Sequence, residues 1–175
     1  ILALEAGEID VLNAELRADD LAATRKLATA GHAQLFELGT AIDADSLWFN
    51  LGPRAAAPAS SRTAGRPWLD PRFRRAVAHA IDRHAFINTV YLGAGTPIHG
   101  PVTPGNKGWH HAGVTQYAFD VARAAALLRE LGLMDRNGDG KLETAVGAPL
   151  RLEVLTQKGH AVRERAAAFL EADLE

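Results

Sequence analysis

The spacing of apolar positions predicts short helices and short strands in alternation. Ile1 to Ala6 reads as the end of a helix stopped by Gly7, the residue type that takes a left-handed C-cap at least cost. Ile9 to Leu12 reads as a short buried strand. Leu21, Ala22, Leu27 and Ala28 predict a helix over Leu21–Thr29, capped by Asp19 or Asp20 and ended at Gly31. Gln34–Leu38 and Ser46–Leu51 suit strands, the second through Leu47, Trp48 and Phe49.

The pattern then breaks. Gly52 to Pro67 holds three prolines, two glycines and five alanines with almost nothing large and apolar, which predicts a loop or a crossing between lobes. Asp70-Pro71 opens a helix with a carboxylate N-cap and proline at the first helical position. Phe73, Val77, Ala80, Ile81, Ile87 and Tyr91 continue at helical spacing, with Asp82 placed to cap a second helix after a bend and Gly93 and Gly95 closing the stretch. Pro97, Pro101 and Pro104 keep Thr96–Gly108 out of long regular structure. Asp120 caps a helix whose apolar face is Val121, Ala124, Leu127, Leu128 and Leu131, with Gly132 at its end. After a polar loop over Asp135–Gly147, Leu150 to Thr156 alternates as a strand, and Ala161–Asp173 is a last helix. The predicted class is mixed α/β, in two unequal pieces on either side of the break.

Composition narrows the field of functions. Hydrophobic residues make up 47% and charged residues 23% of 175, the balance of a folded domain rather than a disordered chain. A net charge of −2 gives no reason to expect a nucleic-acid partner, and Arg72, Arg74, Arg75 and Arg83 read as a solvated helix face because no aromatic platform interleaves them. The absence of cysteine removes disulfides, thiolate metal sites and cysteine nucleophiles. No apolar run approaches the ~20 residues that span a bilayer. The chain opens on a helical pattern without an initiator methionine, so it reads as a segment of a longer protein whose targeting signal lies elsewhere.

Chemistry-bearing patterns are few. Asp135, Asn137 and Asp139, followed by Gly140, match the first, third, fifth and sixth positions of a calcium loop, where short oxygen-bearing side chains converge on a hard cation. Glu143 stands at the ninth position, but the twelfth, which needs a bidentate glutamate, is Val146. The stretch is better read as an Asx-rich turn that satisfies its own amides than as a complete ion site. A calcium-stabilised extracellular interaction module resting on Asp135–Glu143 is the alternative function. His79 and His84 lack metalloprotease spacing, and His99, His110 and His111 lie near the proline-rich loop, so surface or hydrogen-bonded histidines are expected. None of the three serines stands in a nucleophile elbow, and no glycine loop cradles phosphate. No enzyme activity and no cofactor are expected.

The order of the motifs carries a resemblance. Residues 1–12 are similar to the "ALxxGEIDV" element of family 5 bacterial extracellular solute-binding proteins, the peptide and nickel receptors of ABC importers. Leu47-Trp48-Phe49-Asn50 resembles their strand ending in "FN". Arg75-Ala76-Val77-Ala78-His79-Ala80-Ile81-Asp82-Arg83, with Ile87, Val90, Gly93 and Gly95, resembles "RxALAxAIDRxxIVxxVxxGxG". Thr96 to Pro101 resembles the "PAxGPxPP" turn, Phe119-Asp120 with Ala124 to Gly132 the "YDPxxAxxLLxxAG" helix, and Asp135 to Glu143 the "DxNGDGxxE" insertion before the strand "PLxLxxL". Phe119 departs from the usual tyrosine, and Gly52–Leu69 is longer than the usual connection.

The resemblance implies a fragment of a two-lobed, periplasmic-binding-protein-like (type II) fold. Residues 1–51 would belong to the first lobe, 52–69 would cross between lobes, and 70–175 would begin the second. It also implies a receptor that closes on a peptide or similar small solute and delivers it to an ABC permease, in the periplasm or outside the cell. Contact with the membrane would come only through an anchor of the full-length protein or through the permease. Of the matched positions, Trp48 and Asn50 are the candidates for the cleft.

Overall fold

A computed structural model describes residues 1–12, 16, 18–52 and 66–174. Most of the Gly52–Pro67 break, residues 53–65, therefore lies outside the described residues. The helices are α1 (Leu2–Glu5), α2 (Ala18–Thr29), α3 (Pro71–Ala80), α4 (Arg83–Val90), α5 (Val121–Glu130) and α6 (Ala161–Leu174), with a 3₁₀ turn at Pro67–Leu69. None of the described helices is long and apolar enough to cross a membrane.

Three aspartates start three helices. The Asp70 carboxylate accepts from the Arg72 amide at 2.8 Å with Pro71 in the first turn, so two of the orphan N–H positions of α3 are dealt with by one side chain and one ring. Asp82 Oδ1 accepts from the His84 and Ala85 amides at 2.9 and 3.0 Å, which opens α4 just after the chain bends out of helix at Ile81. Asp120 Oδ1 accepts from the Arg123 amide at 2.8 Å and opens α5. At the start of α2 the expectation needs correcting: the helix begins at Ala18, so Asp19 and Asp20 sit inside its first turn, favourable there for the helix dipole but not as caps.

The core is built on α3 and α5. Ala76, fully buried, meets Ala124 and Leu127, and these small side chains let the two helices approach closely. A second cluster, Phe73, Val77 and Leu133, is covered by Phe49, Trp68, Ile81, Leu128, Leu131, Leu150 and Leu174. The Asp120 amide donates to the His79 carbonyl at 2.8 Å, tying the entry of α5 to the end of α3. α6 lies on α4 through Phe169 and Phe86, edge to face at 5.3 Å. Arg165 of α6 reaches Asp19 at 3.0 Å and the Val90 carbonyl at 3.2 Å, joining α2, α4 and α6. The proline-rich loop docks on residues 40–41: Thr103 Oγ1 donates to the Ala41 carbonyl at 2.6 Å, and a side chain on Gly105 would collide with the Thr40 carbonyl.

The expected strands are a correction. Among the described residues Ile9–Leu12, Gln34–Leu38, Ser46–Leu51 and Leu150–Thr156 form no strand, and only two isolated antiparallel bridges occur, Met134 with Glu143 and Glu143 with Pro149. A strand exists only as half of a ladder, and these segments find no second half. Phe49 and Leu150 still pack against the core, but many of the other apolar side chains stay outside, Leu38 at 95% exposure and Leu155 at 89%.

Candidate functional site

The Trp48–Asn50 segment is held from two sides. Phe49 turns inward and meets Phe73 edge to face, centroids 6.2 Å apart, which fixes this stretch to the α3 core. The Asn50 carbonyl accepts from the Trp68 Nε1–H at 3.1 Å and from a guanidinium N–H of Arg66. A second Arg66 nitrogen donates to the Gly52 carbonyl at 2.7 Å, and the guanidinium lies 5.5 Å from the Trp68 ring centroid. Arg66 is buried, and a buried guanidinium requires acceptors of this kind. The Asn50 side chain folds back, its Oδ1 accepting from the Gly52 amide at 3.0 Å. Trp48, beside the inward Phe49, is 80% exposed. Sequence reasoning nominated Trp48 and Asn50 and missed Arg66 and Trp68. The available signal was an arginine and a tryptophan flanking Pro67 just ahead of the Asp70 cap.

The Asp135–Glu143 loop closes on itself as an Asx-rich turn. Asp135 accepts from the amides of Gly138 at 2.6 Å and Gly140 at 2.9 Å. Those amides, Gly140 first, hold its carboxyl below the usual range. Asn137 accepts from the Asp139 amide at 2.8 Å and donates to Asp139 Oδ2 at 3.1 Å, while Asp139 Oδ1 accepts from the Lys141 amide at 2.8 Å. Glu143 is buried, accepts from the Arg136 amide at 2.7 Å and exchanges both backbone bonds with Met134. Asp135, Asp139 and Glu143 each bring a carboxylate oxygen within 4.8 Å of the others. Asn137 sits in the same turn with both ends of its carboxamide engaged. Val146 is 89% exposed and, being aliphatic, offers no oxygen to an ion.

Two histidines and two further arginines bond to backbone carbonyls. His79 Nδ1 and His110 Nδ1 stand 2.7 and 3.0 Å from the carbonyls of Ala118 and Val102, which makes each Nδ1 the donor. Arg83 donates to the carbonyls of Ala78 and Tyr117, and burial pulls its guanidinium below the ordinary value. His99 is lowered too, by burial first and then by the charge of Arg83. Arg74 donates to the carbonyls of Trp68 and Leu69 at 2.6 and 3.0 Å. An open hollow of about 300 Å³ lies over Pro71, Arg74, Arg75 and Tyr117.

Comparison with known proteins shows the family. The pattern that defines "Bacterial extracellular solute-binding proteins, family 5 Middle" matches residues 1–175. The chain belongs to the family 5 solute-binding proteins. A "Probable ABC transporter-binding protein" of Deinococcus radiodurans is 27% identical over 149 residues, 79% of this chain and 25% of that protein. The oligopeptide-binding protein AppA of Bacillus subtilis, solved in complex with a nonapeptide, matches 61% of the chain at 28% identity and a TM-score of 0.56, covering 21% of the AppA chain. An oligopeptide-binding protein of Thermus thermophilus complexed with a pentapeptide matches 61% of the chain at 33% identity and a TM-score of 0.54, covering 18% of that chain. This family 5 chain thus spans about a fifth to a quarter of the length of those relatives. Its fold is part of the type II fold of periplasmic oligopeptide-binding proteins, and the relatives are solute-binding proteins rather than enzymes.

Proposed function

We propose that this chain is part of the solute receptor of an ABC importer, working in the periplasm or outside the cell. The receptor takes peptides into a cleft between two lobes and hands them to the membrane permease. Residues 1–51 are assigned to the first lobe, 52–69 to the crossing and 70–175 to the second, with Trp48 and Asn50 facing the cleft. The observation that carries this reading is the family match over the whole chain, together with solved relatives that hold a pentapeptide and a nonapeptide. Closure of two lobes supplies what a transporter can read: a ligand that favours the closed state shifts the population toward it. A purely calcium-stabilised module is less well supported, because Val146 leaves the loop one bidentate carboxylate short.

Equilibrium dialysis of the complete gene product against a mixed pool of di- to hexapeptides, read by mass spectrometry with nickel in parallel, tests the solute class. Enrichment of peptides is expected. Retention of nickel with no enriched peptide would overturn the peptide reading.

A further inference from the structure

We propose that Arg66 and Trp68 are positioning residues for solute recognition: they brace the backbone at Asn50–Gly52 so that Trp48 is presented outward as a stacking surface for planar or apolar groups of the bound peptide. The inference rests on the receptor reading above and adds two residues to it.

Three observations converge on the brace. Trp48 is 80% exposed, so its indole offers a large apolar surface, and it adjoins Phe49, whose ring is committed to the core. One residue beyond, the Asn50 carbonyl takes two donors from 16 and 18 residues later in the chain, a long-range double clamp on a single oxygen. The clamping arginine is itself buried, bonded to Gly52 and laid against Trp68, so it cannot swing away without leaving the Asn50 and Gly52 carbonyls short of these donors. With Phe49 seated on one side and Asn50–Gly52 fixed on the other, the backbone carrying Trp48 has little freedom. An aromatic ring held this way loses less entropy on binding than a mobile one, which is where a positioning residue adds affinity. The Asn50 carboxamide belongs to the brace as well, spent on the Gly52 amide.

A double-mutant cycle in the complete gene product tests this, with peptide affinity read by calorimetry for Trp48→Ala, Arg66→Ala and both together. Losing one stacking contact corresponds to about a three- to tenfold weaker affinity. Arg66→Ala should produce a loss of that order in the parent and almost none once Trp48 is alanine. Arg66→Lys, which keeps the charge but not the planar fork, should fall between. Trp68→Phe removes the Nε1 donor while keeping an aromatic ring, a milder change that guards against a variant that fails to fold. With fluorotryptophan incorporated, the Trp48 resonance should shift or broaden in Arg66→Ala while that of Trp109, also 80% exposed, stays put. Additive losses in the cycle, or an unmoved Trp48 resonance, would overturn the positioning role and leave the receptor reading intact. A parent that binds no peptide at all would remove both.

Discussion

Truncating Phe73 to alanine strikes the one large ring, among the described residues, that the core encloses almost completely, at 1% exposure. Removing a buried phenylalanine forfeits about 1.5–3 kcal/mol of transfer free energy. The edge-to-face contact with Phe49 adds about 0.5–1.5 kcal/mol. A cavity between Val77 and Leu133 adds more, because α3 and α5 are held together by Ala76, Ala124 and Leu127 and cannot simply collapse into the space. The total expected is about 3–5 kcal/mol. Phe73→Leu, which keeps most of the volume, should cost a fraction of that. Urea unfolding followed by far-ultraviolet circular dichroism measures both, and Phe49→Ala with Phe73→Ala in a cycle isolates the ring contact. A Phe73→Ala midpoint corresponding to less than about 1 kcal/mol would mean that the α3–α5 core does not pack as described.

Three further outcomes are expected. The Arg72 side chain, then its amide, hold the Asp70 carboxyl down to about 2, so its contribution is complete above the ordinary carboxylate value near 4 and is lost as pH falls through about 2. The urea midpoint of Asp70→Asn, which keeps a capping oxygen but not the charge, should therefore converge on the parent's under acid and lie below it at neutral pH, and a constant gap across that range would refute the contribution of the Asp70 charge. Leu92 sits at φ 52°, where a branched side chain is strained, so Leu92→Gly should leave thermal stability unchanged or raise it by up to about 1 kcal/mol, and a clear loss would show that the exposed leucine makes a contact of its own. Calcium should bind Asp135, Asn137, Asp139 and Glu143 no more tightly than about millimolar, since Val146 contributes no oxygen, and saturable calorimetric binding at micromolar calcium would refute that.

Helices were more legible than strands for a physical reason. A helix satisfies its own hydrogen bonds, so Asp70-Pro71, Asp82 and Asp120 announce α3, α4 and α5 from local chemistry alone. A strand depends on a partner that its own sequence does not specify, and Leu38 or Leu155 carries the pattern without the pairing. The same limit governs the site. Trp48 and Asn50 were found through their place in a motif, whereas Arg66 is defined by the carbonyls of Asn50 and Gly52, 16 and 14 residues away, contacts that no periodicity encodes. In the Asp135–Glu143 loop the turn chemistry was readable because its partners are two to five residues apart, and the burial of Glu143 was not, because it follows from the bridges to Met134 and Pro149.

The most direct test of a two-lobed peptide receptor is to compare the peptide affinity of residues 1–175 with that of the complete gene product in one calorimetric titration series. Each backbone hydrogen bond on an open face contributes only about 0.5–1.5 kcal/mol net of water, and ordering a flexible peptide costs a similar amount for each immobilised side chain. The complete product should therefore bind the enriched peptides saturably, with binding by residues 1–175 alone too weak to saturate. Equal affinity in the two proteins would contradict the cleft between lobes and place a whole site within these residues, with Trp48 the first position to mutate.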